Sequence, residues 1–123
     1  MSQERLCHEM GASELTQAFR SGALSLQAFY DALQQYGAAV EPEVQAFAHQ
    51  SSEVVEAQRW VLEDMARAGG DLPQLYGVPV GIKDNIDTAD YPTELGYAGA
   101  AGRTPSVDAF LVHRLRAAGA VVW

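Results

Sequence analysis

Apolar residues recur at helical spacing through the first two-thirds of the chain and alternate with other residues thereafter. Residues 12–20 set Leu15, Ala18 and Phe19 on one side, and Gly22 supplies a stop. Ser25 is placed to cap a second helix, with Leu24 before it and Phe29 after it at the spacing of a hydrophobic staple. Phe29, Ala32, Leu33 and Tyr36 continue one stripe. Gly37 and the Glu41–Pro42 pair are expected to break it, because a residue before proline is pushed out of the helical region. A third helix, roughly 50–67, aligns Val54, Val55, Gln58, Val61, Leu62 and Met65 and ends at Gly69–Gly70–Asp71. These are ordinary packing stripes, with no convergent polar group.

The pattern changes at residue 72. Val78, Val80 and Ile82 alternate with Pro79 and Gly81, which predicts a strand over 78–82, although Pro79 removes one ladder donor. Residues 84–104 show little periodicity, and so long a loop in a compact domain is more often functional. Thr104–Pro105 predicts an N-cap and first helical position, opening a helix that packs through Val107, Phe110, Leu111, Leu115 and Ala118. Gly119 closes it, and residues 120–123 begin a second strand. Strand, helix, strand is a βαβ unit with parallel strands and a right-handed crossover. The expected fold class is therefore α/β. A helical N-terminal region over 1–71 is followed over 72–123 by the first βαβ unit of a larger mixed or parallel sheet. Two parallel strands cannot cover both faces or satisfy both edges. With its last strand lacking a terminating signal, the chain reads as a fragment, a truncated product or one half of a split protein.

Composition narrows the function classes. Hydrophobic residues make up 48% of the 123 positions and charged residues 20%, which fits neither a disordered chain nor a membrane protein. A net charge of -8 offers no basic footprint for nucleic acid or an anionic membrane, so neither is an expected partner. The first residues, MSQERLC, do not read as an export signal. A single cysteine, Cys7, cannot form an intrachain disulfide; it reads as a tail thiol in a cytoplasmic protein. His8 and His49 stand alone, without metal-ligand spacing, and read as surface or capping residues. Neither a metal nor a cofactor is expected.

Seven of the eight basic residues are arginine, and Lys83 is the only lysine. Chemistry that needs a deprotonatable amine cannot use guanidinium. Lys83 follows an apolar strand and opens the long loop, where parallel-sheet proteins place functional groups. An amine partly dried at such a place loses affinity for its proton and can serve as a base. From its surroundings alone, Lys83 reads equally well as a strand-end cation paired with Asp84 or Asp87. Those two carboxylates stand three apart with no histidine or third carboxylate beside them, so shaping the turn is the better reading than binding metal. Asn85 and Thr88 read as polar scaffolding of the same loop.

The string from Gly77 to Asp90, Gly-Val-Pro-Val-Gly-Ile-Lys-Asp-Asn-Ile-Asp-Thr-Ala-Asp, resembles the amidase signature family. The likeness continues through Pro92–Thr93, Gly96, and the Asp108–Ala109 pair that opens a helix ending in Arg-Ala-Ala-Gly-Ala. Upstream, Glu14–Leu15, Leu24–Ser25 and the segment Glu41 to Phe47 fit the helical part of such enzymes, so the resemblance spans about residues 12–122. It implies an amidase acting on carbon–nitrogen bonds through a Ser–Ser–Lys mechanism, with Lys83 as the base. It further implies that Asp84, Asn85, Asp87 and Thr88 support the loop and line the substrate cleft, and that the substrate is a small-molecule amide. Glu94 and Tyr97 depart from the family's usual threonine and small polar residue, which bears on loop packing and pocket size rather than on the base. No Gly-Gly-Ser-Ser-Gly-Gly-Ser-like segment is present, and Ser51–Ser52 lacks flanking glycines and reads as a helix start. The 123 residues are thus expected to be inactive alone, the alternative being a structural half that needs a complementing chain carrying the serines.

Overall fold

A computed structural model describes residues 7–123. A short 3-10 turn at Cys7–Glu9 leads into three α-helices: α1 (Ala12–Ser21), α2 (Leu26–Val44) and α3 (Ser52–Ala68). Their ends follow local chemistry. Gly22 closes α1 in the left-handed region at φ 74°. Ser25 caps α2 by accepting from the Ala28 N–H, and Ser51 caps α3 by accepting from the Val54 N–H at 3.3 Å.

Helix α2 runs through both expected breakers. Gly37 costs a helix interior only ~1 kcal/mol, and a Cβ there would stand 3.9 Å from the Trp123 ring, an ordinary contact. Pro42 falls in the last turn, so few hydrogen bonds remain for it to disturb. Gln45 then closes the helix in the left-handed region, donating its N–H to the Glu41 carbonyl at 2.8 Å.

The two strands, β1 (Pro79–Val80) and β2 (Val121–Val122), pair in parallel with Pro79 opposite Val121 and Val80 opposite Val122. The expected five-residue strand is thus a short one. Val121 and Trp123 donate their N–H groups to the Val78 and Val80 carbonyls at 2.8 and 3.0 Å. Backbone groups alternate sides along a strand, so the nitrogen of Pro79 falls on the edge away from β2, where its missing N–H costs no ladder bond.

The crossover helix α4 (Phe110–Ala117) begins later than the Thr104–Pro105 signal predicts. Tertiary bonds hold its approach out of the helix. Ala109 donates its N–H to the Asp87 carbonyl at 2.9 Å, and the Asp108 carboxylate accepts from the Ala89 N–H at 2.8 Å. The later start changes which side packs. Val112 is fully buried, whereas Val107, Phe110 and Leu111 are exposed.

The strand residues divide the interior. Val121 joins a cluster of Leu15, Phe19, Leu26, Phe29, Tyr30, Val55, Leu62 and Tyr76, which gathers one side of all three N-terminal helices. Val122 joins Tyr91 and Val112 in a second cluster, with Ile82 and Ile86 packed against it. Period-two alternation along β2 thus separates the two cores. Within α3, Val55, Arg59 and Leu62 face inward, while Val61 and Met65 from the expected stripe are exposed. Cys7, read as a tail thiol, packs partly buried against the first cluster. No helix among the described residues is long and apolar enough to cross a membrane.

Candidate active site

Strand β1 is anchored at its start. The buried Tyr30 phenol donates to the Gly77 carbonyl at 2.7 Å, and burial raises its pKa well above the ordinary phenol range. Gly77 donates its own N–H to the Gly119 carbonyl at 2.9 Å. Gly77 needs its freedom: at φ +78° a Cβ would stand 2.4 Å from Leu26 Cδ2. With this end fixed, β1 delivers Gly81, Ile82 and Lys83 to a cleft of about 450 Å³. The segment between α2 and α3 contributes Phe47 and His49, the loop after Lys83 contributes Ile86, Thr88 and Tyr91, and β2 adds Val122. Lys83 therefore stands at the carboxyl end of its strand, on the same cleft as the loop that follows it.

The environment of Lys83 differs from expectation in one respect. The residue is exposed, not partly dried, because the cleft is open where it lies. The alternative of a strand-end ion pair is also absent: among the described residues Lys83 has no ion-pair partner, and both neighbouring carboxylates are engaged elsewhere. Asp84 accepts from the Glu94 N–H at 3.0 Å through its carboxylate, and from the Leu95 N–H through its carbonyl. Asp87 takes a two-pronged contact from Arg103, at 2.7 and 3.0 Å. The hydrogen bond and charge of that guanidinium hold the Asp87 carboxyl below the ordinary carboxylate range. Both aspartates thus shape the turn. Thr88 is buried beside the cleft, and Asn85 is exposed.

The structure brings forward residues that the sequence did not single out. His49 is no lone surface residue: it lines the cleft and meets Glu94 at 2.5 Å. Glu94 also accepts from the Gly102 N–H. A carboxylate reaches both partners where a threonine side chain is too short, which gives that departure from the family pattern a local role. His8 stacks on Tyr36 with ring centres 3.9 Å apart, away from the cleft lining. Arg116 meets Asp90 at 2.7 Å, Asp108 at 2.9 Å and Gln58 at 2.6 Å, joining α4, the loop and α3. Gln58 had one visible mark, an amide within an otherwise apolar stripe. Among the described residues no three His, Cys, Asp or Glu side chains gather as a metal site would require.

The amidase family profile matches residues 26–123, which includes the cleft, its lysine and both strands. This chain belongs to the amidase family. It is 38% identical over 117 residues to a glutamyl-tRNA(Gln) amidotransferase subunit from Roseiflexus sp., across 95% of this chain and 24% of that protein. Its identity to the corresponding amidotransferase subunit from Salinispora arenicola is 44% over 86 residues, covering 68% of this chain and 17% of that one. Among solved structures, the native peptide amidase from Stenotrophomonas maltophilia superposes with a TM-score of 0.83 at 31% identity, over 93% of this chain and 24% of that chain. The chain spans about a quarter of the length of the curated relatives it matches. Its helices and parallel strand pair make up that part of the α/β amidase fold, in agreement with the class expected from the sequence.

Proposed function

We propose that these residues serve an amide hydrolase in which Lys83 is the base and two serines are supplied by polypeptide outside the 123 residues. The carrying observation is the placement of the Gly77–Asp90 string: it sets the only lysine at the carboxyl end of β1, on the open cleft. Membership of the amidase family supports the amide-bond class. In the proposed reaction the neutral Lys83 amine takes a proton from a bridging serine, which takes one from the nucleophilic serine. The serine oxygen attacks the carboxamide carbon, the carbon–nitrogen bond breaks, and the nitrogen leaves with the relayed proton. Water then cleaves the acyl-serine ester to the carboxylate. The open side of Lys83 leaves room for the serine-bearing segment.

The test is ammonia release from a carboxamide by a polypeptide that adds a relative's remaining amidase segment to these residues. Replacing Lys83→Ala should lower the rate by at least ~10³-fold, as loss of one member of a cooperative relay does. Equal rates would remove Lys83 from the mechanism. The 123 residues by themselves should release none, and lysine-dependent turnover by the purified chain would overturn the assignment of the serines elsewhere. The short span relative to its relatives favours a second form of the reading, in which a separate complementing chain carries the serines. Co-purification with restored activity distinguishes it from a covalent continuation.

A further inference from the structure

The carboxamide of Gln58 acts as a third strand in miniature. Its nitrogen donates to the Val122 carbonyl at 2.9 Å and its oxygen accepts from the Val122 N–H at 2.9 Å, so both backbone groups on the outer edge of β2 at that residue are satisfied by one side chain. The same nitrogen is anchored to its own helix through the Val54 carbonyl at 3.1 Å. The oxygen has a second donor, Arg116 Nη1 at 2.6 Å. From there the contacts run outward. Arg116 ion-pairs with Asp90 and Asp108, and Asp108 accepts from the Ala89 N–H. Asp90 and Ala89 belong to the loop that starts at Lys83, and Val122 and Thr88 line the cleft on which Lys83 lies. One amide thus stands where the strand edge, the crossover helix and the loop meet.

We propose that Gln58 is a positioning residue for Lys83, acting through Val122 on one wall of the cleft and through Arg116 on the loop. An apolar residue would pack in the stripe of α3 but would leave the Val122 N–H, the Val122 carbonyl and one guanidinium arm without these partners. Glutamate retains an oxygen for Arg116 but sets its second oxygen, an acceptor, against the Val122 and Val54 carbonyls, so it keeps the Arg116 arm and breaks the strand arm. The role rests on the amidase reading, to which it adds a residue that sets the base, yet its test is independent of turnover. It therefore stands or fails separately from the Lys83→Ala result.

Amide hydrogen exchange and the lysine side-chain carbon resonance, which has a single source in this chain, read it directly. In Gln58→Leu the amides of Val122 and Ala89 should exchange about fivefold to tenfold faster, as expected for a lost hydrogen-bonded support. Phe29, in the other core, should hold its rate. The Lys83 resonance should move in Gln58→Leu, and by less in Gln58→Glu, which keeps the Arg116 arm. Should Gln58→Leu fail to fold, Arg116→Lys keeps the test alive. It removes the forked contact, so Ala89 should loosen and Lys83 should shift while Val122 stays protected by Gln58. Faster exchange throughout both cores, or a Lys83 resonance unmoved while Ala89 loosens, would overturn the proposal. So would an unchanged Ala89 in Arg116→Lys.

Discussion

Gly77 and Gly22 share nearly the same positive φ, +78° and +74°, but their surroundings are opposite. A Cβ on Gly22 meets nothing within 4 Å. On Gly77 it would stand 2.4 Å from Leu26 Cδ2 and 2.9 Å from two atoms of the Phe19 ring, both core residues. Gly22→Ala should therefore cost only the conformational penalty, ~1 kcal/mol. Gly77→Ala adds overpacking to the same penalty and should cost about 2–4 kcal/mol. Urea denaturation of the two variants separates the contributions. Equal losses would mean that the core yields around residue 77 and that β1 is not held as tightly as the Tyr30 bond implies.

The elements show where sequence reasoning reached and where it stopped. Ser25, Gly22 and Ser51 mark helix ends through groups within a few residues of the boundary, so those ends were legible. The onset of α4 was not, because Asp108 and Ala109 are held by Ala89 and Asp87, partners about twenty residues away. For the same reason the lysine and its strand were visible, while the Glu94 contact with His49, from a distant segment, was not. The loop after Lys83 depends on such distant contacts, and the Asp87–Arg103 pair offers a test at this scale. Asp87 is held below the ordinary carboxylate range, first by the Arg103 hydrogen bond. A carboxyl depressed in the folded state contributes stability above its ordinary pKa of about 3.9 and loses it as pH falls through the folded value. Carbon-detected titration should place the Asp87 midpoint below that value, and Arg103→Gln should return it to the ordinary range. A midpoint that Arg103→Gln leaves in place would show that other groups set the loop.

At the largest scale the described residues form two small cores divided by one short strand pair, and α4 tests how that division works. The sequence stripe would turn Val107, Phe110 and Leu111 inward; the later helix start turns Val112 inward instead, at 0% exposure, and leaves Phe110 at 75%. The Arg114 guanidinium lies 5.7 Å from the Phe110 ring centre, an exposed cation–π pair worth ~0.5–1 kcal/mol. Phe110→Ser should thus lower the unfolding free energy by less than ~1 kcal/mol, close to the effect of an ordinary surface change. Val112→Ala removes two methyl groups from a filled site shared with Tyr91 and Val122, and should cost about 2 kcal/mol. The two substitutions lie two residues apart on one helix, and helix propensity favours the alanine at 112, so a larger loss there reports burial. Denaturant midpoints in a common buffer give the comparison. If Phe110→Ser proved the more damaging, the helix would be packing through the face that the sequence stripe predicted, and the link from Asp108 to the loop after Lys83 would have to be redrawn.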